Sequence, residues 1–149
     1  MFIDSKIISL KTLNILNHQN LYQLIHEISM IYMKVGIIGS REFQKLDLVE
    51  AMILILKNLF NDFSVISGGA KGVDSKAKEV CIKHGIKYVE YAPDFSKGYD
   101  VRKYHERNDK IIKESDMLIV FWNGISKGTE SVIRKALLAK KQIIVIMEL

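Results

Sequence analysis

The sequence predicts an α/β fold: a Rossmann-like open parallel sheet of five strands with helices on both faces. Short runs rich in β-branched residues occur at 34–38, 64–66, 87–91, 117–121 and 142–147. The intervals between these runs carry helical periodicity, and strand alternating with helix is typical of a parallel sheet. Right-handed crossovers then predict the strand order 3-2-1-4-5, with the topological switch between strands 1 and 4.

The four interval helices differ in their apolar patterns. The first, at 46–60, is apolar nearly all round, which predicts burial on more than one side and also permits a subunit contact. The second, at 74–84, ends at Gly85 and places Cys81 on its apolar face, so we expect a core cysteine rather than a reactive thiol. The third covers 101–114, and the fourth opens at Lys127-Gly128-Thr129.

Residues 1–32 differ from the rest of the chain. They contain no glycine or proline and lack the features of a signal peptide. An amphipathic helix is predicted after the N-cap candidate Asn20, from the apolar positions Leu21, Leu24, Ile25 and Ile28. We therefore assign 33–149 to the domain and 1–32 to an N-terminal helical extension. This extension is either an added helix or a stretch upstream of the true start.

Composition limits the function classes. The 149 residues, 48% hydrophobic and 26% charged, fit one globular domain and exclude a disordered, collagenous or coiled-coil chain. A single cysteine excludes an internal disulfide, and no paired Cys/His spacing predicts a metal site. This cysteine usage predicts a cytoplasmic protein. No apolar run reaches the length of about 18 residues that a membrane span needs, so no membrane contact is expected.

Three glycine-containing loops follow strands 1, 2 and 4, where ligands bind in an open α/β sheet. Six of the nine glycines lie in them, and a glycine lets a ligand approach the backbone closely. Each loop leads toward a helix N-terminus, whose free N–H groups favour an anion. The loops are Gly39-Ser40-Arg41, Ser67-Gly68-Gly69-Ala70-Lys71-Gly72-Val73-Asp74 and Trp122-Asn123-Gly124-Ile125-Ser126-Lys127-Gly128-Thr129.

The residue types in these loops predict phosphate binding. Arg41, Lys71 and Lys127 supply positive charge. We expect the backbone N–H groups of Gly68 to Gly72 and of Ser126 to Thr129 to cradle phosphate oxygens. The alternative is that the glycines serve only the conformation of strand-to-helix turns.

Several side chains have two interpretations. The hydroxyls of Ser40 and Thr129 are expected to bond phosphate or ribose oxygens. Trp122 either belongs to the core or stacks on a base or nicotinamide, and Arg107 either reaches the site or braces the loops. The residues predicted to bind the ligand are Gly39, Ser40, Arg41, Gly68, Gly69, Ala70, Lys71, Gly72, Asp74, Arg107, Trp122, Ser126, Lys127, Gly128 and Thr129.

Two acids in the same region are weak catalytic candidates. Asp74 is favoured as a helix N-cap over an acid/base catalyst. Glu130 lies in a first helical turn, where the helix dipole favours it with or without a substrate. No other side chain is singled out for catalysis.

The motifs that carry a family resemblance are, in chain order, Gly39-Ser40-Arg41, the loop from Ser67 to Asp74, Arg107-Asn108, Asp116, Phe121-Trp122-Asn123-Gly124 and Ser126-Lys127-Gly128-Thr129. Over residues 33–147 they resemble the SLOG superfamily, and within it the small YspA/YpsA-related proteins. The resemblance implies a Rossmann-like fold that binds nucleotides or nucleotide-derived ligands, including NAD-derived signals. Relatives include the Lonely Guy phosphoribohydrolases, the DNA-processing protein A family that binds single-stranded DNA, and sensor modules of prokaryotic defence systems.

The sequence departs from the Lonely Guy pattern Gly-Gly-x-Gly-Thr-x-x-Glu. Val132 occupies the position of the catalytic glutamate, and Ile125-Ser126 replaces the first glycine pair. Glu130 lies two residues early, about 200° around a helix, so it does not substitute for that glutamate. The resemblance to the DNA-processing family rests on Ser67-Gly68-Gly69-Ala70 and Arg107-Asn108.

Three function classes follow, and whether the chain is an enzyme stays open. The first is a sensor or binding module for a phosphorylated nucleotide or NAD-derived ligand, with no required cofactor and a homo-oligomer as an option. The alternative is a nucleotide N-glycosidase resembling the phosphoribohydrolases. The second alternative is single-stranded DNA binding, which a net charge of +5 permits although the lysines are spread along the chain.

Overall fold

The computed structural model describes residues 22–23, 26–27 and 32–148. Five parallel strands form one sheet in the order β3-β2-β1-β4-β5, as predicted. The strands are β1 (Met33–Gly39), β2 (Phe63–Ser67), β3 (Lys87–Glu90), β4 (Met117–Trp122) and β5 (Gln142–Met147). Since β1 and β4 are adjacent but lead to helices on opposite faces, the carboxyl ends of these strands diverge into a crevice.

Four helices cover the two faces of this sheet. They are α1 (Asp47–Leu59), α2 (Val73–Lys83), α3 (Arg102–Glu114) and α4 (Lys127–Leu138). Side chains of β1 alternate between the faces: Val35 and Ile37 pack in the cluster beneath α1 and α2, and Ile38 packs beneath α3 and α4. Cys81 is buried in the first cluster, which confirms a core cysteine.

One prediction about α1 is wrong. Burial on more than one side was expected, but only Val49, Ile53 and Leu56 are buried, and Ile55 and Leu59 are at least half exposed. The helix lies in an outer layer, so one face packs against the core, with Leu48 and Met52 partly buried beside it, and the opposite face is open to solvent. A subunit contact through the exposed positions stays a prediction.

The N-terminal extension is described at only five positions. Tyr22, Gln23, His26 and Glu27 are helical and lie within the predicted helix, and Tyr32 directly precedes β1. Asn20 and the apolar positions Leu21, Leu24, Ile25 and Ile28 lie outside the described residues. Across the part of the chain that the structure describes, no helix has the length and apolar character to cross a bilayer.

Candidate functional site

A cleft of about 460 Å³ opens at the carboxyl edge of the sheet, at the predicted switch point. Its walls come from the loops after β1, β2 and β4 and from α3. A second cavity of about 450 Å³ adjoins it and adds Gly68, Gly69 and Lys71. Both cavities are lined by Arg41, Glu42, Ala70, Tyr104 and Arg107, so they adjoin each other, and the two together are called the groove below.

The β2–α2 loop is held by the carboxylate of Asp74, in a way that differs from the predicted N-cap. Gly72 is the N-cap, with φ of 89°, and Asp74 lies in the first turn of α2. Its Oδ2 accepts hydrogen bonds from the N–H groups of Gly68 at 3.1 Å and Ala70 at 3.3 Å. These two groups were expected to cradle phosphate, but they are already satisfied by the protein. The side chain therefore folds back to order the loop.

Arg107 reaches this loop from α3 and is only 9% exposed. Its Nη1 donates a hydrogen bond to the carbonyl oxygen of Gly68 and lies 4.0 Å from Asp74 Oδ2. Burial raises the pKa of Asp74, although the nearby Arg107 acts against the shift. Burial and the charge of Arg41 lower the pKa of Arg107. Arg107 thus braces the loop and also lines the groove, so its two predicted roles coexist.

The β4–α4 loop is joined to β1 by a chain of hydroxyl groups. Ser40 Oγ lies 3.1 Å from Thr129 Oγ1 and accepts a hydrogen bond from the N–H of Asn123 at 3.2 Å. Ser126 is the N-cap of α4, and its Oγ accepts from the N–H of Thr129. Among the described residues, the N–H groups of Lys127 and Gly128 have no hydrogen-bond acceptor, as is normal for the first turn of a helix.

Two glycines of the predicted phosphate cradle, Gly69 and Gly128, differ in structure. Gly69 has φ of 70°, a backbone conformation that favours glycine whether or not a ligand binds. An added Cβ would also lie 2.5 Å from the carboxyl group of Glu90. An added Cβ at Gly128 would meet no atom within 4 Å. Gly128 faces the open cleft, where a ligand can approach the N-terminus of α4.

Four predicted or candidate residues do not line the groove. Trp122 donates from its indole N–H to the carbonyl oxygen of Ser126 at 3.1 Å, so it braces the β4–α4 loop. The Lys127 ammonium is paired with Glu130 at 3.0 Å, and this contact lowers the pKa of Glu130. Neither residue of this pair contributes to the cavity lining, and Gly72 does not either. Val132, at the position of the Lonely Guy acid, is buried in the core.

Tyr104 is the main site residue that the sequence analysis missed. Its ring lies beneath two guanidinium groups, with Cζ of Arg41 5.6 Å and Cζ of Arg107 5.9 Å from the ring centroid. Asn108 and Asn123 also line the cleft and were not predicted. The sequence did contain a signal for Tyr104: aromatic and basic residues alternate over 95–104, a pattern typical of nucleic-acid-binding surfaces.

Two solved structures are similar to this fold. DNA processing protein A from Streptococcus pneumoniae has 19% sequence identity and a TM-score of 0.66, over 76% of this chain and 50% of that chain. The present chain therefore spans about half the length of that protein. DNA processing protein A from Helicobacter pylori, solved for its single-stranded DNA binding mode, has 22% identity and a TM-score of 0.62, over 82% of this chain and 67% of that chain.

A family model places the chain among relatives of these proteins. The model for DNA recombination-mediator protein A matches residues 26–114, from the N-terminal extension to the end of α3. No curated protein is similar to the chain. The match covers more than half of the sequence and includes Ser67-Gly68-Gly69-Ala70 and Arg107-Asn108, so it confirms the resemblance to the DNA-processing family that these motifs predicted. The chain belongs to the DNA recombination-mediator protein A family.

Proposed function

We propose that this chain binds single-stranded DNA along the groove at the carboxyl edge of the sheet. One observation carries the proposal: the two cavities adjoin each other and share Arg41, Tyr104 and Arg107 as lining residues. Two adjoining cavities suit a chain of nucleotides better than a single small molecule. Family membership and the single-stranded DNA binding named for the Helicobacter pylori protein support the same proposal.

The charges of the groove suit a phosphodiester backbone. Arg41 is exposed, and its guanidinium group is free for a phosphate because it pairs with no carboxylate among the described residues. Lys71 is exposed at the second cavity, and Gly128, whose N–H is free at the start of α4, lines the first. The Asp74 carboxylate accepts a hydrogen bond from the Gly68 N–H and lies 4.0 Å from Arg107 Nη1, so its negative charge is largely neutralised within the protein. A strand can therefore place phosphates at both ends of the groove.

A phosphorylated nucleotide or NAD-derived ligand is the second candidate. The observation that favours it is the open space at Gly128 beside the free N–H groups of the first turn of α4, which suits one terminal phosphate. N-glycosidase chemistry has weaker support. Glu130 is held by Lys127 and lies outside the groove, and Asp74 is committed to the β2–α2 loop.

The test is fluorescence anisotropy with a labelled oligothymidylate of about 16 nucleotides, within the range of single-strand-binding folds. We expect saturable binding that weakens linearly in log affinity as log salt concentration rises. Arg41→Ala should reduce the slope of that line by about 0.7, the value for one lost phosphate contact on a single strand.

The matched control is Arg134→Ala, an exposed arginine of α4 outside both cavities, and it should keep the wild-type slope. ATP, NAD and ADP-ribose are titrated in parallel by calorimetry. Saturable binding of one of these at about one per chain, without oligothymidylate binding, would replace the proposal with the second candidate.

A further inference from the structure

We propose that the β3–α3 connection carries a base-stacking platform that extends the groove. The platform consists of Phe95, Tyr99 and Tyr104. This inference rests on the proposed function, because its occupant is a nucleobase of the same strand. It adds a contact that the phosphate-binding elements do not supply.

The three rings form one cluster with a large open surface. Phe95 and Tyr99 are stacked, with centroids 5.4 Å apart and an interplanar angle of 28°. Both rings meet Tyr104 edge-on, at 5.5 Å from Phe95 and 6.4 Å from Tyr99. Tyr99 is nevertheless 73% exposed, so it covers little of the core and leaves most of its ring to solvent. An exposed, oriented aromatic face is what base stacking requires.

Local hydrogen bonds hold the platform in shape before any ligand binds. Gly98, with φ of 100°, donates its N–H to the carbonyl oxygen of Phe95 at 2.9 Å, and this turn brings Phe95 and Tyr99 together. On either side, Asp94 accepts from the N–H of Ser96, and Asp100 accepts from the N–H of Arg102. Order in the free protein lowers the entropy lost when a base stacks.

Tyr104 joins the platform to the groove. It lines both cavities and lies close to the guanidinium groups of Arg41 and Arg107. A strand whose phosphates contact Arg41 therefore passes directly onto the aromatic rings. Lys97 is exposed within the same connection and adds positive charge for the next phosphate.

A nucleobase fits this surface better than a protein partner does. Every base offers a π-face of the size of these rings, and stacking tolerates all four bases. Arg41 and the exposed Lys97 supply positive charge for a polyanion, while Asp100 is paired with Arg102, and Arg41 lies 5.6 Å from the ring centroid of Tyr104 at the junction with the groove. The structure therefore assigns sequence-tolerant stacking to Tyr99, next to phosphate contacts in the groove.

The experiment compares labelled oligothymidylates of about 4 and about 16 nucleotides, the lower and upper site sizes of single-strand-binding folds. Tyr99→Ala should weaken binding of the longer strand by roughly 5- to 150-fold, as expected for the loss of base–aromatic stacking, and weaken binding of the shorter strand less. Tyr99→Phe, the matched control, keeps the ring and should bind the longer strand like the wild type. Circular dichroism and thermal unfolding verify that each variant is folded.

A longer strand with abasic sites separates stacking from charge. It should bind the wild type as weakly as intact DNA binds Tyr99→Ala, because its phosphates are unchanged and its bases are missing. Equal affinity of the wild type and Tyr99→Ala for the longer strand overturns the platform and leaves the proposed function standing. Absence of binding to either strand by the wild type overturns both.

Discussion

A single methyl group at Gly68 tests the bracing of the β2–α2 loop. The Cβ of Gly68→Ala would overlap Nη1 and Cζ of Arg107 and lie 2.8 Å from its Nε. The guanidinium group has to leave its place, and the hydrogen bond that it donates to the Gly68 carbonyl oxygen is lost. The backbone at Gly68 lies outside the left-handed region, so the substitution has no conformational cost of its own.

The magnitude follows from these contacts. A hydrogen bond to a charged group contributes about 1.5–3 kcal/mol to stability. Replacing glycine by alanine returns about 0.4–1 kcal/mol by restricting the unfolded chain. We therefore expect Gly68→Ala to lower the free energy of unfolding by about 0.5–2.5 kcal/mol. For a chain of this size, this lowers Tm by roughly 1–10 °C.

Gly128→Ala is the matched control. Its Cβ meets no atom within 4 Å, and its position in the first turn of α4 favours alanine by up to about 1 kcal/mol. Urea and thermal unfolding followed by circular dichroism measure both variants. The two glycines should therefore give changes of opposite sign. Equal or greater stability of Gly68→Ala than of the wild type would refute the placement of Arg107 against this loop.

Three further outcomes are expected. Cys81 is buried, and burial raises the pKa of its thiol to about 12. Labelling by a thiol reagent should therefore proceed only at the rate of global unfolding. Faster labelling would contradict the packing beneath α2. Burial raises the pKa of Asp74 above its unfolded value, so this residue stabilises the fold most at low pH and loses that contribution as pH rises through its folded pKa. Urea unfolding at several pH values should show that the stability of the wild type relative to Asp74→Asn falls as pH rises, because the variant lacks this titrating group. Removal of residues 1–32 should leave cooperative unfolding, because every strand of the described sheet lies at or after Met33. Loss of a sharp transition would show that the extension contributes to the core.

The fold was predictable because its determinants are local. Each strand is a short run rich in β-branched residues, and each helix shows helical periodicity of its apolar residues. The alternation of these two patterns along the chain therefore indicates a parallel sheet before any contact is known. Right-handed crossovers then leave few topologies, and the order β3-β2-β1-β4-β5 is the predicted one. The position of the crevice follows from that order, so the three loops were correctly expected to lie at the cleft.

The roles of individual groups within those loops depended on contacts between distant residues. A sequence shows that Gly68 and Ala70 have N–H groups, but only the tertiary structure shows that Asp74 already accepts from both. Arg107 and Tyr104 lie about one turn apart on α3, yet their place in the groove depends on how that helix crosses the sheet. Composition and periodicity therefore decided the architecture and the location of the site. Packing decided which polar groups stay free for a ligand, because a hydrogen-bonding group used within the protein is no longer available to bind one.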